Sequence, residues 1–198
     1  MKSKLPWLTV LALSLLSACA RSPDRQYYTL RSSSTVTTPS GVLRQPKDTL
    51  AITALSIPEN VDTNKIVTRV PGSSRLEISE SYRWTESLTA EISTALADDL
   101  GQQYPGTLVT TPGQTAAPSH PDHQLEIDIT RFDGTLGVGV ELEAIWSIRG
   151  QKEKVVRHAH AKLNEPAKAS DYEALTRAYT AALQRLSILI KNSLDQRP

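Results

Sequence analysis

One cysteine, one methionine and one phenylalanine occur among 198 residues, and each scarcity narrows the field. A lone Cys excludes an intrachain disulfide, a Cys₄ zinc site and a Cys-x-x-Cys redox pair. Charge of one sign is also missing, with 22 Lys+Arg against 21 Asp+Glu. That balance argues against sequence-independent nucleic-acid binding, which needs a basic surface to displace counterions. No internal repeat at solenoid spacing is present. What remains is 39% hydrophobic and 22% charged, ordinary globular material of a length that suits one domain with appendages.

The long apolar run that does occur, Leu5 to Leu16, follows Lys2 and Lys4 and ends in Leu16-Ser17-Ala18-Cys19. At about 12 residues it is short of the ~20 that cross a bilayer. A basic start, a short apolar run and small residues describe an export signal. Taken alone, they also fit an unlipidated secretory signal or a short anchor with an incidental Cys. The position of Cys19 favours a third reading, because Leu-Ser-Ala-Cys resembles the bacterial lipobox. Residues 1–18 are therefore expected to be a lipoprotein signal peptide, cut between Ala18 and Cys19. Cys19 is the expected lipidation site, and 19–26 an acylated tether. One acyl chain holds a protein to a membrane only reversibly, at ~0.8 kcal/mol per buried CH₂, so the two or three chains of a lipoprotein make the anchor stable. The mature chain loses Lys2 and Lys4 and keeps no free thiol, which suits an oxidising periplasm. Ala20, where an Asp commonly retains such proteins in the inner membrane, favours the outer one.

The rest reads as one α/β domain, residues 27–198, with a mixed, largely antiparallel sheet packed by two long amphipathic helices and about seven strands. Tyr27 to Leu30 has strand character, and 31–48 is a Ser/Thr/Pro-rich loop. Thr49 to Ile57 loads both faces with Leu50, Ile52, Leu55 and Ile57 and is expected to sit centrally. Ile66 to Val70 and Arg75 to Glu80 flank Pro71-Gly72-Ser73-Ser74 as a hairpin. A helix is expected from Trp84 to Gln103, with Trp84, Leu88, Ile92, Leu96 and Leu100 on its buried stripe and Glu86, Glu91, Asp98 and Asp99 mostly off it. Leu108 to Thr111 is a strand, and 112–122 a Pro-rich loop. Three alternating segments (125–130, 138–148 and 155–163) predict an antiparallel meander wet on one face, with Asp133-Gly134 and Gly150-Gln151 at its turns. Ser170-x-x-Glu173 has capping-box spacing at the start of the last helix, whose stripe runs Tyr172, Leu175, Tyr179, Leu183, Leu186, Ile190. Whether both helices cover the same side stays open.

A search for chemistry yields little. His120-x-x-His123 has two imidazoles but sits in a Pro-rich loop beside an unremarkable Asp122, and reads as solvated. His158-x-His160 puts two imidazoles on one strand face with Lys154 and Lys162, which cross-strand pairing with acidic neighbours explains. Gly134-x-x-Gly137-x-Gly139 precedes a strand, whereas a phosphate loop must lead into a helix, so these are turn glycines. Glu141/Glu143 and Asp98/Asp99 come without a recognisable pocket. No Gly-x-Ser-x-Gly elbow occurs. The expectation is no enzyme, no catalytic residue, no metal and no cofactor. Tyr27, Tyr28 and Trp84 mark either a lipid- or partner-facing surface or, more simply, core packing.

The lipobox, Tyr27-Tyr28-Thr29-Leu30, Ile57-Pro58 before Ile66-Val67-Thr68-Arg69, Arg83-Trp84-Thr85-Glu86-Ser87-Leu88 and Arg131-Phe132-Asp133-Gly134 occur in order across nearly the whole mature chain. In that order and spacing the chain resembles the ABC-type transport auxiliary lipoproteins, the PqiC-like component of intermembrane lipid-transport systems. Loops 31–48 and 112–122 are longer than that pattern. The resemblance implies a non-catalytic periplasmic subunit anchored in the outer membrane and supporting envelope integrity. It further implies partners with MCE domains that carry phospholipid, an ABC permease and ATPase, and a homo-oligomeric ring that receives the MCE tube. Two rivals remain: a structural or assembly lipoprotein binding a β-barrel protein or lipopolysaccharide, and a lipid- or glycan-modifying enzyme.

Overall fold

Alternation builds the spine of the fold. In the computed structural model, which describes residues 24–31, 46–115, 117–150 and 156–195, the longest strand is β6 (His123–Thr135). It pairs antiparallel with β7 (Gly139–Gly150), which pairs antiparallel with β8 (Val156–Pro166). Leu125, Ile127 and Ile129 are buried while Glu126, Asp128 and Thr130 are exposed, so the meander is dry on one face, as the period of two requires. Its first turn is not at Asp133-Gly134. Gly134 still pairs with Val140 inside the ladder, and the chain reverses at Thr135–Val138, where the Val138 amide donates to the Thr135 carbonyl at 3.1 Å.

The opposite edge of β6 is shared. β2 (Asp48–Ser56) runs parallel to its first half, and β3 (Lys65–Arg69) meets its end at Thr68 opposite Gly134. β5 (Thr107–Thr110) adds to β2, making β2 internal as expected. β4 (Leu76–Trp84) closes the expected hairpin with β3, and β1 (Gln26–Tyr28) lies parallel to the end of β4. The sheet thus has eight strands.

Two one-residue bulges decide which side chains face inward. The β2–β6 register shifts between Ile52 and Ala54. Leu50 and Ile52 point to the core before it, and Leu55, now opposite Ile127, points there after it. What reads as a strand loaded on both faces is therefore one apolar face whose phase jumps at Thr53, because an extra residue inverts every later side chain. A second shift lies between Ile129 and Arg131. It turns Phe132 inward and sends Arg131 and Asp133 to the wet face.

Both helices cover the same side. α1 (Leu88–Gln103) lies over β2 and β5, and α2 (Tyr172–Asp195) over β6 to β8. They touch where the Gln103 amide donates to Ser187 Oγ at 2.7 Å and the Tyr104 hydroxyl donates to the Lys191 carbonyl at 3.0 Å. α1 is shorter than its pattern suggests. Trp84 ends β4, and Ser87 caps the helix by accepting from the Ala90 amide at 3.3 Å. Trp84 still fills the core, edge-on to Tyr179 at 5.5 Å between ring centres. On α2 the cap is Asp171, not Ser170: Asp171 Oδ1 accepts from the Ala174 amide at 2.7 Å. Glu173 is freed from capping and pairs instead with Arg177 at 2.8 Å. Leu175, Tyr179, Leu183, Leu186 and Ile190 are all buried, each contributing about 1.5–3 kcal/mol by leaving water.

Candidate functional site

Ala18, Cys19 and the whole 1–18 segment lie outside the described residues, as do most of loop 31–48, Lys154 and Gln151. What the structure does show is how the chain is gripped just after the tether. β1 has only three residues, too few to hold by ladder bonds alone. Glu91 on α1 supplies the rest. Its carboxylate is buried (3% exposed) and accepts from Thr29 Oγ1 at 2.8 Å, from the Leu30 amide at 3.0 Å and from the Thr85 hydroxyl. A charge taken out of water is tolerated only when its lone pairs are filled, and three donors fill them. Glu91 is thus not off the buried face as its helical position suggested. It borders Leu88, Ile92 and Ala95, and the only sequence clue is an acid one residue from the stripe. Beyond this clasp, Tyr28, Tyr82 and Tyr172 form a run of rings, with Tyr82 stacked on Tyr172 at 3.9 Å and Tyr28 tilted against Tyr82 at 6.2 Å.

A cleft of about 390 Å³ opens between this segment and α2, lined by Tyr27 to Thr29, Arg31 and one helical face from Glu173 to Gln184. Tyr27 is exposed at its edge. Burial, and then the Glu173 charge, raise the Tyr28 hydroxyl above its ordinary range.

The second polar cluster lies on the open face of the sheet. Asp133 accepts from Arg69 Nη2 at 2.6 Å, Arg69 Nε at 3.1 Å and Arg131 Nε at 2.9 Å. Arg131 reaches on to Glu141 at 2.6 Å, and Lys162 joins Glu143 at 2.7 Å. The hydrogen bond to Asp133 raises the Arg131 guanidinium above its usual range, and the Lys162 bond lowers the Glu143 carboxyl. The network ties β3 to the meander where a single residue pair otherwise joins them. The motif Arg131-Phe132-Asp133-Gly134 now has a physical content. Arg131 and Asp133 bind across strands outside. Phe132 packs edge-on to Tyr179 at 4.7 Å inside. A side chain at Gly134 would collide with the Tyr179 ring, 2.8 Å from its Cε2. Burial and the Asp133 charge in turn keep the Tyr179 phenol neutral.

The other residues singled out by sequence do not converge. His123 begins β6 instead of lying in the loop and stands 3.6 Å from Asp48, while His120 is exposed. Asp122 between them is structural: it accepts from the Thr49 amide at 3.1 Å and the Thr49 hydroxyl at 2.8 Å, and these bonds lower its carboxyl pKa. His158 and His160 share an exposed face, but their cross-strand neighbours are Ser147 and Ile145, not acids. Of the glycines, only Gly137 belongs to the turn. Gly139 opens β7 at φ +144°, pressed against Pro166. Asp99 is buried, and desolvation followed by the Asp98 charge pushes its carboxyl up to about 6. Among the described residues no group of three His, Cys, Asp or Glu is placed to hold a metal ion, and no helix is long and apolar enough to cross a membrane.

Comparison with known proteins agrees with this architecture. No curated protein matches the sequence. Among solved structures, an uncharacterized protein superposes with a TM-score of 0.65 at 18% identity, covering 87% of this chain and 99% of its own. A Xanthomonas campestris protein of family DUF330 gives 0.58 at 16% identity, covering 78% and 86%. These two share the fold. The PelC dodecamer of Paraburkholderia phytofirmans is more distant, with a TM-score of 0.42 at 11% identity over 75% and 92%. The family model described as "ABC-type transport auxiliary lipoprotein component" matches residues 28–190, from the end of β1 nearly to the end of α2. The chain belongs to the ABC-type transport auxiliary lipoprotein family.

Proposed function

We propose that the protein is an outer-membrane lipoprotein facing the periplasm, acylated on Cys19, that serves as a non-catalytic docking subunit of an MCE/ABC-type phospholipid transport system. One observation carries the reading: a family match that begins at residue 28, nine residues after a lipobox cysteine. In it, residues 1–18 are removed before Cys19, the acyl chains hold the tether 19–26 to the membrane, and the clasp at Glu91 couples the tether to the rigid domain. The work of the domain is adhesion to an MCE-domain protein, with copies of the same chain arranged around its end, while the permease and ATPase supply energy elsewhere. The strongest polar constellation supports a structural role for its charges, because Asp133 and its arginines satisfy one another across strands.

Crosslinking in the intact envelope, with identification of the attached proteins, tests this. Recovery of an MCE-domain protein is expected. Recovery of a β-barrel assembly partner in its place would transfer the protein to the class of structural lipoproteins.

A further inference from the structure

The cleft between β1 and α2 brings a chemically specific set of groups together. Its volume of about 390 Å³ lies within the range of small-ligand sites. Arg31 and Arg177 line it with one carboxylate, Glu173. Glu173 and Arg177 pair at 2.8 Å with both side chains more than 60% exposed, an arrangement that holds a helix only weakly. The wall therefore offers guanidinium N–H groups for an anion and, one helical turn away, a carboxylate for a cation. Thr176 and Thr180 donate their hydroxyls to the carbonyls of Tyr172 and Thr176 at 2.7 and 3.1 Å, which leaves their lone pairs for a donor from the ligand. Tyr27, 57% exposed, stands at the edge, the kind of amphipathic ring that favours the boundary between water and lipid.

Position restricts the occupant. Tyr27 lies eight positions after Cys19, a reach of at most about 29 Å at ~3.6 Å per residue. With Cys19 acylated, as proposed above and as this inference requires, the cleft stays close to headgroups. We propose that it receives a zwitterionic phospholipid headgroup from the membrane that holds the anchor. The phosphate sits on Arg177 and Arg31, as guanidinium forks favour, and the ammonium sits on Glu173. The headgroup orients the domain on the bilayer.

The test uses the full-length lipidated protein in vesicles of phosphatidylethanolamine and phosphatidylglycerol, after its intact mass has been recorded. A photoreactive Ala181→p-benzoylphenylalanine variant should yield a phosphatidylethanolamine adduct. Adding Glu173→Gln and Arg177→Gln should reduce it about tenfold without moving the thermal midpoint. In the unlabelled chain, hydrogen exchange at residues 29–31 should slow in these vesicles relative to phosphatidylglycerol alone, and the double variant should abolish the difference. Equal adducts with both lipids, an adduct with a second copy of the chain in place of lipid, or an acylated protein showing neither adduct nor slowed exchange would overturn the headgroup site. An unmodified Cys19 thiol would overturn the anchoring reading and this inference together.

Discussion

The two ends of the molecule are held by opposite means. At one end β7 and β8 pair through 11 consecutive positions and β6 and β7 through 12, interrupted once at the Thr130 bulge, each strand adjacent in sequence to the next. At the other, β1 is a three-residue strand whose partners lie more than 50 residues away on β4 and α1. The first end is stable because local alternation repeats one favourable contact many times. The second combines a three-pair ladder and a run of tyrosine rings with one buried carboxylate, Glu91, that fixes residues 29 and 30. In the proposed anchoring, load enters through the N-terminus and falls on the second end, so the clasp and not the meander would set how firmly the domain is moored.

The largest effect tests the first end. Gly134→Ala forces a methyl group into the Tyr179 ring and should cost about 2–3 kcal/mol, the upper part of the range for overpacking a full core, read as a lower denaturation midpoint for the whole domain. Glu91→Ala strands the Leu30 amide and two hydroxyls and should cost about 2 kcal/mol. Its diagnostic is locality: hydrogen exchange at Leu30 should accelerate far more than at the β6–β7 ladder. Equal acceleration at both would show that the two ends do not differ.

A smaller, opposite change is expected at Asp99 on the same helix, where burial raises the carboxyl above its ordinary 3.8 to about 6. A raised carboxyl pKa means that the folded state holds the proton longer than the unfolded one. Stability is then full below about pH 4 and falls as pH rises toward 6. Asp99→Asn removes that fall, so it should stabilise by about 1–2 kcal/mol at pH 8 and by nothing below pH 4. Glu91, with its three donors, should show no such gain on conversion to Gln. Arg177→Ala, at an exposed pair, should shift stability by less than about 0.5 kcal/mol.

The regular end was legible from sequence and the irregular one was not. Leu125, Ile127 and Ile129 announce their strand, and the α2 stripe announces its helix, because periodic burial repeats itself along the chain. Bulges break that logic. The extra residue at Thr53 makes a one-faced strand look two-faced, and the one at Thr130 hides the continuation of β6 through Asp133-Gly134, which then resembles a turn. Trp84 continues the four-residue spacing of α1 from the end of a strand, since a core does not distinguish which element supplies a ring. The clasp was invisible because Glu91 gains its meaning from Thr29, Leu30 and Thr85, whose proximity is created by the fold. The order of the short motifs pointed to the family, although Arg131-Phe132-Asp133-Gly134 is explained by packing and cross-strand charge, not by a ligand.

Mass spectrometry of the N-terminal peptide of the mature protein, isolated from the envelope, tests the central claim most directly. The account predicts a peptide that begins at Cys19 and carries a diacylglyceryl group. A chain that begins elsewhere, or one with a free thiol at Cys19, would contradict it.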